Sequence, residues 1–312
     1  MKILFVWTGV TSYMADCWQE LARREGIELK VVIIRHSSGS EIDASLLFGN
    51  VNVDIVDDGC RLELGAWRPD VIFAVGWHSR TVRMTVADSR LACVPKVCCF
   101  DMPWRWMLRC IVARWVLARY LSNFTAAYVP GSAAARYARW LGFDRIYTGL
   151  FSLDSSRFPS EAGKSGFMYI GRHAPEKRLD IIRRAYDRYR EMGGTWAMDV
   201  YGGVNFVQPS EIPSLYSRHA CLLLASSFDP WPLVMLEATV SGLMVIASDR
   251  CGNVDELGAF RVPYGNPDVM ATAMLKAERG EISPPGRILA TDYDCGVWAN
   301  RVLGICDELV GK

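Results

Sequence analysis

Four ionisable side chains in the second half of the chain carry the strongest chemical signal. Asp229 and Glu237 stand eight residues apart, and Asp229 follows a short apolar run at 221–225. Arg172 and Lys177 stand five residues apart, directly after another apolar run. Two cations at such a place can neutralise a diphosphate, which an arginine can bind through two parallel hydrogen bonds. Carboxylates accept hydrogen bonds from hydroxyl groups, so the combination is typical of a site for a nucleotide-sugar.

The turn between the two carboxylates leads into an apolar segment that reads as the start of a helix. A helix N-terminus placed just beyond the carboxyl end of a strand can hold an anion with its backbone N–H groups. Simpler interpretations stay open. Asp229 can be an ordinary helix cap, Glu237 a solvated helix residue, and the two cations a surface pair at a helix start.

The elements around these residues alternate between short apolar runs and helical patterns. Strands are predicted at 2–7, 28–34, 51–56, 70–75, 96–100, 126–129, 167–170, 196–201, 221–225 and 243–247. Helices are predicted at 12–25, 104–121, 132–141, 177–192 and 297–310. Such alternation predicts the α/β class with mainly parallel, doubly wound sheets, whose ligands bind outside the carboxyl ends of the strands.

A polar stretch rich in serine and glycine interrupts this alternation at 154–166 and is predicted to be a linker. We therefore expect two domains, residues 1–153 and residues 167–312, that face a central cleft. The last helix can also pack back on the first domain.

Composition limits the classes of binding partner and the cellular compartment that we expect for the protein. The 312 residues include 51% hydrophobic and 22% charged side chains with a net charge of +1, which argues against a nucleic-acid binder. The sequence has no recognisable signal peptide and no apolar run long enough for a membrane span. Ten cysteines without an export signal predict reduced thiols, so we expect a cytoplasmic protein.

Several ordered motifs resemble the family 4 retaining glycosyltransferases (glycosyl transferases group 1), which have the GT-B fold of two Rossmann-like domains. Residues 170–180 resemble the family's strand-G-R-x-x-x-E-K-G-x-D segment, and 229–237 fall at its E-x7-E motif. Residues 242–249 resemble its G-x-P-V-I-A-S-D strand, residues 149–158 its domain junction, and residues 209–216 the peptide before the sugar-nucleotide loop. The resemblance covers most of residues 126–257 and is weaker in the first 125.

This resemblance implies a retaining glycosyltransferase that moves a sugar from a nucleotide-diphosphate sugar to a hydroxyl of a glycan or lipid-linked glycan. The expected setting is polysaccharide or lipopolysaccharide biosynthesis. Within the family, Asp229 would contact the donor sugar and Glu237 the nucleotide ribose. The assigned donor-binding residues are Gly9, Gly171, Arg172, Lys177, Leu233, Val234 and Glu237. Among these residues, Leu233 and Val234 would bind the phosphates through their backbone N–H groups at the helix N-terminus.

The catalytic candidates are Arg172, Lys177, Asp229 and Asp101. We expect no cofactor and no metal ion, because the donor is itself a substrate and the two cations compensate the charge of the departing diphosphate. The D-x-D tripeptide at 292–294 shows too few further ligands for a metal site.

Candidate residues of the first domain follow its predicted strands. Gly9 follows the first strand, where the absence of a side chain lets a ligand approach the backbone. His78 and Asp101 follow the fourth and fifth strands, and we assign both to the acceptor side. Asp101 could instead cap the helix predicted from residue 104, and His78 could have no chemical role.

The chain also departs from the family. Asp229 replaces a longer glutamate, Pro232 removes one N–H donor from the turn, and Arg178 stands where glycine is usual. A segment usual near residues 204–206 is almost absent, so the nucleotide base stays undecided. The alternative is a catalytically degenerate GT-B protein that binds nucleotide-sugar or scaffolds a partner. A nicotinamide-dependent enzyme is disfavoured, because Gly9 stands alone where G-x-G-x-x-G is required.

Residues 102–145 contain seven arginines and one acidic residue, Asp144, together with several tryptophans. The predicted helix 104–121 places Arg105, Arg109 and Arg119 on one face. Tryptophan with arginine suits a membrane interface, so segments 104–121 and 136–145 predict peripheral contact with a membrane surface. A core helix with snorkelling arginines is the open alternative.

Overall fold

The computed structural model describes residues 1–9, 11–35, 48–49, 51–105, 107–158, 161–163, 165–203, 207–208, 211–286 and 291–311. Two compact units result, the first comprising Met1–Asp154 with Asp294–Lys312 and the second comprising Ser155–Tyr293. The short segment at 204–206, residues 209 and 210 of the predicted peptide, and Trp106 lie outside the described residues.

Seven strands form the sheet of the first unit: β1 (Lys2–Thr8), β2 (Glu28–Ile34), β3 (Asn52–Val56), β4 (Val71–Val75), β5 (Lys96–Cys99), β6 (Ala126–Val129) and β7 (Ile146–Thr148). All pairs are parallel, in the order β3-β2-β1-β4-β5-β6-β7. The central strands are continuous apolar runs because helices cover both faces of such a sheet. The order reverses between β1 and β4, which is where such sheets bind ligands.

The helices of the first unit are α1 (Ser12–Ala22), α2 (Arg80–Val86), α3 (Leu108–Val116), α4 (Ala118–Leu121), α5 (Ser132–Leu141) and the last helix of the chain, α10 (Cys295–Val310). Helices α1 and α10 pack together over a core that includes Phe5, Trp18 and Trp298. The indole of Trp298 donates to the Leu150 carbonyl at 2.8 Å. Helix α10 therefore belongs to the first unit.

The prediction of one helix over 104–121 is wrong. Met107 is extended, α3 begins at Leu108, and a break at Leu117 separates α3 from α4. Tertiary packing holds the start of this segment out of a helix. The Trp104 backbone N–H donates to the Ala133 carbonyl, and its ring lies 4.9 Å from that of Trp140. The arginine face predicted from a single helical wheel is therefore absent.

The second unit has five strands: β8 (Phe167–Ile170), β9 (Met198–Tyr201), β10 (Cys221–Leu224), β11 (Met244–Ser248) and β12 (Phe260–Val262). They pair in parallel in the order β12-β11-β10-β8-β9. Its helices are α6 (Leu179–Glu191), α7 (Ile212–Tyr216), α8 (Leu233–Val240) and α9 (Pro267–Glu278). The predicted α/β class with parallel sheets is thus confirmed. Across the described ranges, no helix is both long and apolar enough to cross a bilayer.

Candidate active site

The loop after β8 carries the two predicted cations. The buried Tyr169 ring lies below it, and the Tyr169 hydroxyl donates to the Arg172 carbonyl at 2.9 Å. Burial raises the pKa of Tyr169 to about 12, so this hydroxyl remains a donor at neutral pH. The Arg172 side chain is 80% exposed, and its Nη2 lies 3.5 Å from Glu176 Oε1. Its guanidinium is therefore accessible to an anionic ligand.

Lys177 meets Asp229 across the ends of β8 and β10. Lys177 Nζ lies 2.5 Å from Asp229 Oδ2, and the side chains are only 21% and 10% exposed. Ser227 strengthens the connection, because its N–H and Oγ donate to the Glu176 carbonyl at 2.7 and 3.1 Å. The interpretation of Asp229 as a helix cap is wrong, since Pro232 occupies the N-cap position of α8, without a side-chain cap.

A close backbone approach fixes the Asp229 loop against the end of β11. The Asp229 N–H donates to the Arg250 carbonyl at 3.3 Å, and the Gly252 N–H donates to the Asp229 carbonyl at 2.9 Å. A Cβ on Gly252 would lie 1.9 Å from the Pro230 carbonyl oxygen, so only glycine fits here. The buried Asn253 amide donates to the Pro232 carbonyl at 3.2 Å. Sequence reasoning missed Gly252 and Asn253, although they follow soon after the motif at 242–249.

The N-terminus of α8 offers backbone donors. Leu233 and Val234 are its first two residues and are partly exposed. Their N–H groups have no acceptor within the helix, and the positive end of the helix dipole lies there. The missing N–H of Pro232 precedes these donors, so this departure from the family leaves both of them in place.

A hydrogen bond from Tyr216 holds the Glu237 side chain. The Tyr216 hydroxyl donates to Glu237 Oε2 at 2.5 Å, and Tyr216 itself is fully buried. Burial raises the pKa of Glu237, while the Tyr216 hydrogen bond and the charge of Arg157 act in the opposite direction. The Glu237 residue as a whole is partly exposed, and Tyr216 contacts one oxygen of its carboxylate. The interpretation of Glu237 as a solvated helix residue is therefore wrong.

Arg178 explains another departure from the family. With φ of +51° it is the single residue other than glycine that has a positive φ among those described. Glycine adopts this conformation without strain, which accounts for its use in the family. Here the guanidinium binds the Asp180 carboxylate at 2.8 and 2.9 Å and also the Tyr264 hydroxyl. These contacts fix the start of α6, which follows directly after the cationic loop.

In the first unit, Gly9, His78 and Asp101 follow β1, β4 and β5, which are neighbours in the sheet. Gly9 has φ of +72°, its N–H donates to the Ile34 carbonyl at 3.0 Å, and the space beside it is open. His78 is exposed, with its ring 5.8 Å from that of Trp77. The structure thus brings these three candidates to one edge of one sheet.

Asp101 lies close enough to α1 to affect Tyr13. Burial raises the pKa of Tyr13 to about 12, and the Asp101 carboxylate adds to this rise. The interpretation of Asp101 as a helix cap is wrong, because α3 begins only at Leu108 and Met107 precedes it without a side-chain cap. Asp101 is exposed at the sheet edge.

The D-x-D tripeptide has a structural role. Asp294 Oδ1 accepts the Gly296 N–H at 2.9 Å and caps α10, and the Tyr293 ring lies 5.5 Å from that of Trp231. In the part of the chain that the structure describes, no group of three or more His, Cys, Asp or Glu residues could hold a metal ion.

Two parallel α/β units, each with candidate ligand groups at the carboxyl edge of its sheet, define the GT-B class of folds. WaaB, a lipopolysaccharide outer core galactosyltransferase, matches with a TM-score of 0.69 and 14% identity, over 97% of this chain and 98% of its own. HepE from Anabaena, in complex with UDP and glucose, matches with a TM-score of 0.69 and 14% identity, over 99% of this chain and 100% of its own. A glycosyltransferase from Rickettsia africae matches with a TM-score of 0.73 and 10% identity, over 99% of this chain and 98% of its own.

These structural matches establish the fold, and the sequence comparison adds a match to one family model. No curated protein sequence matches the chain significantly. Residues 164–278 match the family model described as glycosyl transferases group 1, and this match supports a glycosyltransferase enzyme. The matched range contains the cationic loop, Asp229 and helix α8.

Proposed function

We propose that this enzyme transfers a sugar, with retention of anomeric configuration, from a nucleotide-diphosphate sugar to a hydroxyl of a glycan or lipid-linked glycan. The observation that carries the proposal is the convergence of Lys177, Asp229 and the α8 N-terminus at one sheet edge. The named partners of two similar structures support it. HepE is in complex with UDP and glucose, and WaaB is a lipopolysaccharide galactosyltransferase.

The diphosphate binds at the second unit in this proposal. Arg172 and Lys177 neutralise its charge, and the N–H groups of Leu233 and Val234 donate to its oxygens. Gly171 lets the chain turn directly from β8 into this loop, with φ of +157°. Because negative charge develops on the departing diphosphate, donors fixed in advance stabilise the transition state more than the bound donor. We propose that these groups replace a metal ion, so transfer persists in EDTA.

Asp229 and Glu237 orient the donor. Asp229 accepts from a sugar hydroxyl, while its bond to Lys177 keeps the cation directed at the leaving group. Glu237, positioned by Tyr216, accepts from the ribose. The binding-only alternative is disfavoured, because the shorter Asp229 still reaches Lys177 at 2.5 Å and Pro232 leaves the α8 donors in place.

The first unit supplies the acceptor side. His78 and Asp101 contact acceptor hydroxyls at the edge of β4 and β5, and the backbone at Gly9, after β1, approaches the donor. The acceptor hydroxyl attacks the anomeric carbon on the face from which the diphosphate departs. A new carbon–oxygen bond forms, the bond to the diphosphate breaks, and a diphosphate oxygen takes the hydroxyl proton. Attack and departure on the same face retain the configuration.

The test is a thermal-shift panel of UDP-, GDP-, dTDP- and ADP-sugars on the wild type and two variants. A ligand at 100 times its dissociation constant adds about 2.7 kcal/mol to the free energy of unfolding. We expect one nucleotide class to give this shift with the wild type and with Arg183→Ala, an exposed arginine on α6, but not with Arg172→Ala. Retention of configuration is then read from the product by NMR.

If none of the nucleotide-sugars shifts the thermal stability of the wild type, the assignment of the donor site is overturned. An inverted product would overturn the same-face mechanism while leaving the donor site intact.

A further inference from the structure

His219 is a buried histidine whose two ring nitrogens both face acceptors. Its Nδ1 lies 2.8 Å from the Leu215 carbonyl oxygen, and its Nε2 lies 2.9 Å from Asp199 Oδ2. A carbonyl oxygen can only accept a hydrogen bond, so Nδ1 carries a proton. A neutral ring would then turn the lone pair of Nε2 toward the carboxylate, whereas an imidazolium donates to both oxygens. The geometry therefore fits a charged ring that is paired with Asp199.

Neighbouring groups hold the ring in this orientation. The His219 side chain is only 6% exposed, the Tyr201 ring meets it edge-on at 5.8 Å, and a Cβ on Gly166 would lie 3.6 Å from its Cδ2. Asp199 and Tyr201 of β9 face the ring, and the exposed Arg218 precedes it in the chain. Burial raises the pKa of Tyr201, so this hydroxyl stays neutral where a histidine titrates. The ring and the Asp199 carboxylate are thus the pair whose charge can change.

This pair holds the end of the helix that carries Tyr216. Leu215 and Tyr216 are the last two residues of α7, and a positive charge is favourable at the C-terminus of a helix. The ring bonds to the Leu215 carbonyl on one side and to Asp199 of β9 on the other. Tyr216, the next residue of α7, donates to Glu237 Oε2 at 2.5 Å. The ion pair therefore links α7 to β9 one residue away from the group that positions Glu237.

We propose that the His219 imidazolium is a positioning residue for the nucleotide-sugar, which acts through α7 and Tyr216 on Glu237. The proposal rests on the proposed function, in which Glu237 accepts from the ribose. When the ring loses its second proton, Nε2 no longer donates to Asp199, and Tyr216 holds Glu237 less firmly. The stability that the pair contributes is thus present at low pH and is lost as pH rises through the titration of His219. Donor affinity falls on the alkaline side for this reason, and on the acid side because Glu237 is protonated.

The test is the dissociation constant of the nucleotide-sugar selected by the thermal-shift panel, measured from about pH 5 to about pH 9. A nucleotide-sugar is used because the terminal phosphate of a free nucleoside diphosphate itself titrates near about pH 6. We expect the wild-type affinity to fall about five-fold toward alkaline pH, since only part of the free energy of a charge-assisted hydrogen bond reaches Glu237.

Asp199→Asn is the most informative variant, because an amide can donate to the lone pair of a neutral ring as well as accept from a charged one. Its alkaline decline should disappear, while the acid decline remains. His219→Gln should bind more weakly than the wild type near neutral pH and should also lack the alkaline decline. Asp187→Asn is the matched control, because Asp187 is an exposed aspartate on α6 of the same unit, and it should keep the wild-type profile.

Heteronuclear NMR of the histidine rings without nucleotide separates this test from that of the proposed function. Both ring nitrogens of His219, identified by the signals that His219→Gln lacks, should carry protons at neutral pH. A neutral His219 ring there would overturn the proposal, and so would an alkaline decline that persists in Asp199→Asn. A wild type that binds with equal affinity up to alkaline pH would overturn the proposal and leave the donor site standing. A wild type that binds no nucleotide-sugar would overturn both.

Discussion

The carboxyl edges of the two sheets hold their candidate residues in different ways. In the second unit, Asp229 and Glu237 each have a side-chain partner at 2.5 Å before any ligand binds. In the first unit, His78 and Asp101 are exposed side chains on loops after β4 and β5. Groups oriented in advance lose little freedom when a ligand binds. In the proposed function, the second edge binds the donor, and its two carboxylates need little reordering to do so, whereas the first edge selects the acceptor.

Replacing Lys177 should give the largest effect. In Lys177→Met, the departing diphosphate loses a cation and Asp229 loses its partner, so we expect turnover to fall by about 10²- to 10³-fold. Lys276→Met is the matched control, because Lys276 is an exposed lysine of the same unit, over the Phe260 ring at 5.9 Å. Steady-state transfer rates make the comparison. Turnover of Lys177→Met at the wild-type rate would mean that the second edge takes no part in the reaction.

Asp101→Asn tests the first edge. The loss of one charged hydrogen bond to the acceptor, worth about 1.5–3 kcal/mol, should lower transfer by about 10- to 100-fold. The nucleotide-induced thermal shift should not change. Asp144→Asn, an exposed aspartate of the same unit, is the control and should transfer normally. If Asp101→Asn loses the thermal shift instead, Asp101 belongs with the donor and the division between the two edges fails.

Tyr216→Phe tests how Glu237 is positioned, with a smaller effect. The Tyr216 hydroxyl stabilises the ionised carboxylate, so its removal should raise the already raised pKa of Glu237 further. Donor binding uses the ionised form and therefore weakens as pH falls through this pKa. In the variant the decline should begin at a higher pH. The nucleotide dissociation constant is measured from neutral into acidic solution.

Tyr186→Phe is the control for this experiment, because it also removes a tyrosine hydroxyl of the second unit. That hydroxyl donates to a backbone carbonyl, the one of Trp196 at 3.3 Å. Its pH profile should match that of the wild type. An unchanged profile in Tyr216→Phe would mean that Glu237 does not bind the donor as an ionised group.

The smallest expected effects concern Arg178 and fall on stability alone. Arg178→Gly removes left-handed strain but also the contacts to Asp180 and Tyr264, and these changes oppose each other. Arg178→Ala keeps the strain and loses the contacts, so it should be less stable than Arg178→Gly by about 1 kcal/mol. Urea unfolding measures both. Alanine and glycine variants of equal stability would show that the φ of +51° carries no strain.

The sequence predicted the parallel α/β architecture because buried parallel strands are continuous apolar runs. Strand β4, for example, was predicted at 70–75 and spans Val71–Val75. The edge strands β7 and β12 were missed, since each has only three residues and is partly exposed. The helix 104–121 was predicted wrongly, because contacts of Trp104 with α5 override its local helical pattern.

The arrangement of the candidate site was harder to predict than its residue types. Lys177 and Asp229 are 52 residues apart, and Tyr216 and Glu237 are 21 apart, so no spacing rule pairs them. Parallel strand order creates the first pair, since β8 and β10 are neighbours in the sheet. The requirement for glycine at position 252 could not be predicted either, because it depends on the Pro230 carbonyl of another loop.

The most direct test of the account is calorimetric titration of one ligand into three proteins. The ligand is the nucleoside diphosphate selected by the thermal-shift panel, and the proteins are the wild type, Lys177→Met and Asp101→Asn. The account predicts a dissociation constant about 10- to 100-fold higher in Lys177→Met and unchanged in Asp101→Asn. Wild-type affinity in Lys177→Met, or an equal loss in Asp101→Asn, would contradict the assignment of the donor to the second unit.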